Sequence, residues 1–476
     1  MKILALEVST SSAKAIIYST REGIIKTNSV SFAEKVSSVA SQETDIINQS
    51  MKNCVKEILK KEKDNIDIIT LASTWHSFLL VDKKRRPLTN ILSWANNEAA
   101  GITGKYRKNR SKNSWFYNKT GCPVHSIYPL WKWKYIQNKK NFSSKKVYLS
   151  SKPEYIFEKL TGEIGVSKAV ASGTGLFNIH DLEWDEDILE FAGIKKGQLA
   201  PLRPHNYQGS LSMEAASELG LKAGTPVIIT GPDGALNQIG SGALNKGIMT
   251  LSVGTSGALR LANSSPVLPE NPSTWCYYGA EGKRIAGAAT SGAGNCLNWF
   301  KNQVQFNEVE LSQLDLLAEK INPEKAPIFL PFLYGERCPG WQDQRNGGFY
   351  GLQGETGVGD LYYSVLEGVL FNLYQCYKIL IQVEDKPDEI IISGGILNSD
   401  YWLQLAADIF QNEITVSTVK NASTMGAIII ALKNLGEIDQ LGKYKPKRGE
   451  VVEPDPVSKN LYRERFAKYK EYYLNN

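Results

Sequence analysis

The chain has only four histidines, and its six cysteines stand far apart, at positions 54, 122, 276, 296, 338 and 376, with no CxxC pair. A histidine-rich metal cluster is therefore excluded. The thiols fit reduced side chains in a cytosolic protein better than a disulfide framework or a zinc site. No uncharged stretch approaches bilayer-spanning length, and the apolar run Met1-Lys-Ile-Leu-Ala-Leu-Glu7 meets a charge too soon for a signal peptide. A soluble, cytoplasmic protein without a membrane partner is expected. The pattern GxxxxGK[ST] is absent, so any phosphate must be held by something other than a P-loop. Excess charge is also small. The net +6 comes from runs such as Lys83-Lys-Arg-Arg86 and Lys105-Tyr-Arg-Lys-Asn-Arg110, which read as solvated faces and not as a nucleic-acid footprint.

What is present is ample core material. With 476 residues, 42% of them hydrophobic, the chain exceeds what one hydrophobic core usually supports, and two domains are expected. Its centre is Val227-Ile-Ile-Thr-Gly-Pro-Asp-Gly-Ala-Leu-Asn237. The β-branched run ending at Thr230 reads as a buried strand, and Gly231, Pro232 and Gly234 break it, so that Asp233 sits on a short constrained turn before a helix beginning near Ala235. Asp233 is either a helix cap or a positioned reactive carboxylate.

The first element, Lys2-Ile-Leu-Ala-Leu-Glu-Val8, is a strand joined through Ser9-Thr-Ser-Ser-Ala-Lys14 to a second strand, Ala15-Ile-Ile-Tyr18. Its small hydroxylic turn lets a phosphate approach backbone N–H groups, with Lys14 as a nearby cation. The same strand, turn, strand pattern recurs at Gly247 to Arg260 with Gly254-Thr-Ser-Gly257 at the turn. Two hairpins of one kind, each heading half the chain, predict two related domains facing one another over a shared phosphate. Ile66-Asp-Ile-Ile-Thr-Leu-Ala72 predicts a strand that delivers Trp75 and His76, an aromatic and an imidazole able to bind a polyol. Ser93 to Glu98, Thr120 to Ser126 and Pro129 to Trp133 are rich in sugar-binding groups, and Gly287 to Phe300 reads as a glycine-rich helix start. Glu389-Ile-Ile-Ile-Ser-Gly-Gly395 is a strand running into paired glycines before an amphipathic helix, a geometry that cradles anions.

Gly347-Gly-Phe-Tyr-Gly-Leu352, followed by Asp360-Leu-Tyr-Tyr-Ser-Val-Leu-Glu-Gly368, resembles the second signature of the FGGY carbohydrate kinases. The likeness extends to the first hairpin, to Pro129, Lys132 and Trp133, to Gly231-Pro-Asp-Gly234, to Gly254-Thr255 and to Ser393-Gly-Gly395. Trp75-His-Ser77, Trp94-Ala-Asn-Asn97 and Pro331 to Arg337 are most similar to gluconate kinases, with xylulose kinases next. The resemblance implies an α/β protein of two actin-like, ribonuclease-H-like domains around a central cleft, drawn here as 1–244 for the sugar and 245–476 for the nucleotide. It implies ATP and Mg2+ as cofactors and a small sugar or sugar acid as substrate, and it leaves a homodimer open. Asp233 would be the general base. Trp75, His76, Asn96 and Asp233 would bind substrate, and Thr10, Ser11, Lys14, Gly254, Thr255, Gly294, Gly394 and Gly395 the nucleotide, with Glu7 and Asp233 at the metal. Three departures stand out. Glu7-Val-Ser-Thr10 replaces the family's Asp-x-Gly-Thr, and Ser9 would be strained if that glycine needs φ > 0. Trp94-Ala-Asn-Asn-Glu98 replaces Trp-x-Asp-x-Arg, so that Glu98 would disfavour a carboxylate substrate unless Lys132 offsets it. An active kinase is one expectation. A nucleotide-binding sensor that kept the fold but lost efficient transfer is the other.

Overall fold

The computed structural model describes residues 1–60, 65–139, 147–303 and 309–476. Two sheets carry the same winding. In the first, Gly23–Ser31, Ser12–Ser19 and Lys2–Val8 form an antiparallel meander; Ile68–Ser73 and Pro226–Ile228 add in parallel, and Gln208–Ser210 closes the edge antiparallel. In the second, Arg284–Thr290, Gly257–Asn263 and Ile248–Val253 make the meander. Glu389–Ser393 and Ile414–Ser417 then add in parallel, and Arg448–Val452 closes it. Trp275–Tyr278 is one further strand on the outer edge. This duplicated α/β sheet is the actin-like, ribonuclease-H-like arrangement, and the coarse repeat of the two hairpins is its trace in the sequence. Strands covered on both faces carry near-continuous apolar runs. Ile68–Ser73 is buried throughout, and in Lys2–Val8 every residue after Lys2 is buried, Glu7 included.

The sheets meet through two helices. Asp233–Gly240 leaves the first sheet, and Ala422–Asn434 of the second half lies across it. The approach is backbone to backbone: a Cβ on Gly240 would fall 1.9 Å from the Ala422 carbonyl oxygen, and one on Gly426 would fall 2.0 Å from that of Leu236. Only glycine fits such contacts. The same helix reaches the first sheet, where the Thr70 hydroxyl donates to the Ala427 carbonyl at 3.0 Å. Ile3, Ala5 and Ile16 share one core with Leu236, Ile428 and Ile430.

Between Ile68–Ser73 and Pro226–Ile228 the chain makes a largely helical excursion whose core merges with that of the second sheet. Cys276 N–H donates to the Gly121 carbonyl at 2.9 Å, and the Tyr128 and Tyr277 hydroxyls meet at 2.8 Å. Two segments differ from expectation in their limits. The first four residues of Gly287 to Phe300 belong to the strand Arg284–Thr290, with the helix only from Gly294, because these small residues pair against Gly257–Asn263. The central helix starts at Asp233 itself, two residues before Ala235, because Pro232 fixes an extended lead-in (φ −81°, ψ 142°). The signature at 347–368 is a packing device: a Cβ on Gly368 would sit 2.2 Å from the Phe329 carbonyl, and Glu367 is fully buried against the guanidinium of Arg465.

Gly426→Ala is expected to lower stability by about 1–3 kcal/mol through overpacking. Gly104→Ala, in a helix with open space around its Cα, should be neutral or stabilising by up to about 1 kcal/mol. Thermal unfolding of the two variants tests this; equal Tm values would show that the helix crossing tolerates a methyl group.

Candidate active site

The parallel strands of the first sheet aim three loops at one place. Pro232 pairs in register with Ser73, and Ser73 with Val8, so Asp233, Thr74-Trp75-His76 and the Ser9–Ser12 turn emerge side by side from the carboxyl ends of neighbouring strands. Ligands in open α/β sheets bind at such ends. A cavity of about 340 Å³ opens there, lined by Glu7, Thr10, Trp75, His76 and Asp233 from the first half and by Ser252, Arg260, Trp275, Tyr277 and Arg337 from the second.

Each wall has a local cause. Asp233 Oδ1 accepts from the N–H of Gly234 at 2.8 Å, which fixes the carboxylate and leaves Oδ2 uncommitted by that bond. Burial raises the Asp233 pKa and the nearby Glu7 charge raises it further, while the Gly234 amide, Arg260 and Lys152 act the other way. Trp75 is clamped, since a Cβ on Gly234 would lie 2.3 Å from its ring and one on Gly173 2.6 Å. Its indole N–H is spent on the Ala169 carbonyl at 2.9 Å, so the ring offers the cavity an apolar surface. His76 holds φ at +63°, a conformation that persists where surroundings over-determine it. Its carbonyl accepts from the buried Lys132 ammonium at 3.1 Å. Its Nδ1 lies 2.8 Å from the Gly173 carbonyl, an acceptor, so Nδ1 carries the proton and Nε2 is an acceptor. Burial holds the imidazole pKa well below its usual value, hence neutral.

The Ser9–Ser12 turn closes on itself. Ser9 Oγ lies 3.0 Å from the Ser12 carbonyl and accepts from the Ser12 amide at 3.2 Å. Ser9 is absent from the positive-φ residues, so the strain expected at a serine in this position does not arise. Beneath the turn, the fully buried Lys152 donates to the Ser9 carbonyl at 2.7 Å and to Gln42 at 3.2 Å, and burial pushes its pKa down to about 7. Thr10 Oγ1 accepts from the Trp94 indole at 3.0 Å. Glu7 accepts from the Ser423 hydroxyl at 2.8 Å and from that of Thr424, so the first hairpin is tied to the start of the Ala422–Asn434 helix. Lys14 donates to Asn421 at 2.8 Å in the same seam, and Ser11 is exposed at the turn.

In the second half the turns converge. Gly294 N–H donates to the Gly254 carbonyl at 2.8 Å, Asn295 N–H to that of Thr255 at 3.1 Å, and Gly394, at φ +103°, would bring a Cβ within 2.4 Å of the Val253 carbonyl, with Gly395 beside it. Gly254, Thr255, Gly294, Gly394 and Gly395 thus lie together, and Ser256, at the same turn, lines the cavity with Thr10.

Two expectations are corrected. Asn96 does not line the cavity; it donates to Glu98 at 3.0 Å, and Glu98, exposed, also accepts from Tyr135 at 3.2 Å. The charge of Glu98 is therefore spent at the surface. Lys132 is likewise a support for His76 and Ile127, not a lining cation. Among the described residues, the cations that line the cavity are Arg260 and Arg337, named in the sequence only as the ends of Gly247 to Arg260 and Pro331 to Arg337 and given no role there. Arg260 had a visible signal, an arginine inside the otherwise apolar strand Ala258-Leu-Arg-Leu-Ala262.

Residues 2–240 match the N-terminal domain of the FGGY family of carbohydrate kinases, and residues 249–435 its C-terminal domain. The chain belongs to this family. It is 30% identical over 473 residues to a gluconokinase of Bacillus subtilis, covering 96% of this chain and 92% of that one. It is 26% identical to a xylulose kinase of Staphylococcus epidermidis over 99% and 96% of the two chains. A gluconate kinase structure from Lactobacillus acidophilus superposes with a TM-score of 0.93 at 28% identity, covering 99% and 97%. The protein is a phosphotransferase with an alcohol group as acceptor, a carbohydrate kinase in which no helix among the described residues is long and apolar enough to cross a membrane.

Because Glu98 lies outside the cavity, Glu98→Arg is expected to leave the ratio of kcat/KM for acidic and neutral sugars within about twofold of wild type, the range of a screened surface charge. A tenfold shift toward acids in steady-state assays would return Glu98 to the substrate's surroundings.

Proposed function

We propose that the chain phosphorylates gluconate at the expense of ATP, with Asp233 as general base. The observation that carries the reading is the joining, in one cavity, of a carboxylate with a raised pKa, a neutral imidazole acceptor and two guanidinium groups. Asp233 would take the proton from the attacking hydroxyl, and the bond its Oδ1 makes with the Gly234 amide keeps it aimed. His76 Nε2 would accept from a neighbouring substrate hydroxyl, while Trp75 packs against the carbon chain. The turns at Thr10-Ser11 and Gly254-Thr255, with Gly294, Gly394 and Gly395, would hold the nucleotide through backbone amides, Lys14 supplying positive charge nearby. The two sheets closing on both reactants would exclude water.

Mg2+ fits the donor set. Glu7 and Asp233 are close enough for the charge of one to act on the other. Among the described residues no group of three or more His, Cys, Asp or Glu side chains gathers. That suits an ion which takes one or two carboxylates and completes its shell with water and phosphate oxygens. When bound, it would neutralise charge on the phosphate oxygens. Six free, buried cysteines accord with a cytoplasmic location. A ketose kinase is the second reading, supported by the xylulose kinase relative; it keeps the same base and dispenses with the guanidiniums.

Coupled ADP release over gluconate, xylulose and glycerol separates these readings, and turnover with none of them would favour a sensor. Asp233→Asn should cost about 10²-fold or more in kcat with ATP affinity nearly intact; near-normal turnover would remove Asp233 from the chemistry. The working base is deprotonated, so kcat/KM should fall as pH drops through the Asp233 pKa, at a midpoint above the ordinary aspartate value of about 3.9. An acid limb at or below that value would contradict the assignment.

A further inference from the structure

Five buried polar atoms along the cavity lack any hydrogen-bond partner: Thr74 Oγ1, Asn237 Oδ1, Arg260 Nε, Trp275 Nε1 and Arg337 Nε. A buried polar atom left unpaired loses its hydration without replacement and is destabilising. Five of them in one hollow mark a site completed by a polar ligand. Three of the five can only donate, and two of those belong to cations.

The two guanidiniums are the unusual part. Arg260 stands mid-strand in Gly257–Asn263, and among the described residues its guanidinium donates to Ser252 Oγ at 3.3 Å. Arg337 comes from the loop after Ile328–Leu330 and lines both this cavity and the adjoining one. Burial, and after it the repulsion from Arg337, brings Arg260 down to about 10, still protonated at neutral pH, while Asp233 pulls it back up. The nearby carboxylates have other partners, although Asp343 keeps its Oδ2 unpaired. Glu336 is bound to Arg345 at 2.9 Å, Asp343 to His125 at 2.9 Å and to Ser126 at 2.6 Å, and Glu7 to the Ser423 and Thr424 hydroxyls. Asp233, deprotonated as the working base, and the Glu7 carboxylate line the same cavity and offset part of this charge. Each guanidinium nonetheless keeps an unpaired Nε, a donor that an anionic ligand group can fill.

We infer that Arg260 and Arg337 together bind the carboxylate of an acidic sugar and thereby make this cavity select sugar acids over neutral ketoses and polyols. The inference rests on the gluconate reading and goes beyond it by naming the determinants. Guanidinium presents a planar fork that matches a carboxylate, and Arg337 acts on both His76 and Tyr277, the residues around the sugar end of the cavity.

The alternative is that the arginines serve the transferred phosphoryl group, and a neutral analogue distinguishes the two. Steady-state kinetics with gluconate and with D-glucitol, its neutral counterpart of equal chain length, would be run on wild type, Arg337→Gln, Arg337→Lys and Arg260→Gln. Isothermal titration of both compounds would accompany them. Losing one side of a buried charge pair costs about 2–5 kcal/mol. The ratio of gluconate to glucitol kcat/KM should therefore fall by about 30-fold or more in each Gln variant, with a matching loss of gluconate affinity, and Arg337→Lys should recover part of it. Equal losses on both compounds would overturn the inference and assign the arginines to the phosphoryl group. Wild type that turns over xylulose but not gluconate is a different result, which ends the gluconate reading and the inference with it. Unchanged thermal unfolding in Arg337→Lys guards against loss of fold as the cause.

Discussion

The contact on which the rest depends is the crossing of Asp233–Gly240 and Ala422–Asn434, where Gly240 and Gly426 let two helix backbones touch. Dispersion falls off over a fraction of an ångström, so two backbones held this closely have little room to slide. One helix begins with Asp233, and the other begins with the residues that bind Glu7 and Lys14. A single close packing therefore sets the distance between the carboxylate at the cavity and the first hairpin's turn.

Electrostatics work within that frame. A cavity with Asp233 and Glu7 at one end and Arg260 with Arg337 along its wall is neither acidic nor basic overall; it is polarised. Desolvation and Glu7 push Asp233 towards the neutral acid, and the Gly234 amide, Arg260 and Lys152 push it back. Removing Arg260 would therefore change both the charge offered to substrate and the proton affinity of the base. The same coupling explains why acid and neutral substrates must be compared on one variant, since kcat/KM on a single sugar mixes the two effects.

Much of this was legible in the residues. The two hairpins, the Asp233 turn and Trp75-His76 were found because strand, glycine turn and helix are written locally, in the period of the apolar residues and the breaks between them. The placing of Asn96 and Glu98 failed because they were read as part of a motif, whereas their positions depend on where Tyr135, from a separate helix, comes to lie. Arg260 and Arg337 were missed for a related reason. An arginine's function depends on what fails to neutralise it, and that requires knowing which carboxylates other cations already hold, as Arg345 holds Glu336. Gly240 and Gly426 are the extreme case. Each is unremarkable in its own helix, and only the opposing backbone gives it meaning.

The two buried lysines extend the same logic. Lys132 and Lys152 are almost wholly excluded from solvent, and burial brings both to about 7, from an ordinary value near 10.5. Their folded pKa lies below the unfolded one, so the unfolded chain binds more protons between those values. The lysines accordingly oppose folding, fully below about pH 7 and less as pH rises towards 10.5. Methionine at either place would remove that burden. What it could not do is donate to the carbonyls of His76 and Ser9, the backbone positions that carry the imidazole and the hydroxylic turn into the cavity. The unfavourable titration of these ammonium groups is thus coupled to the local order of the two loops on which the site is built.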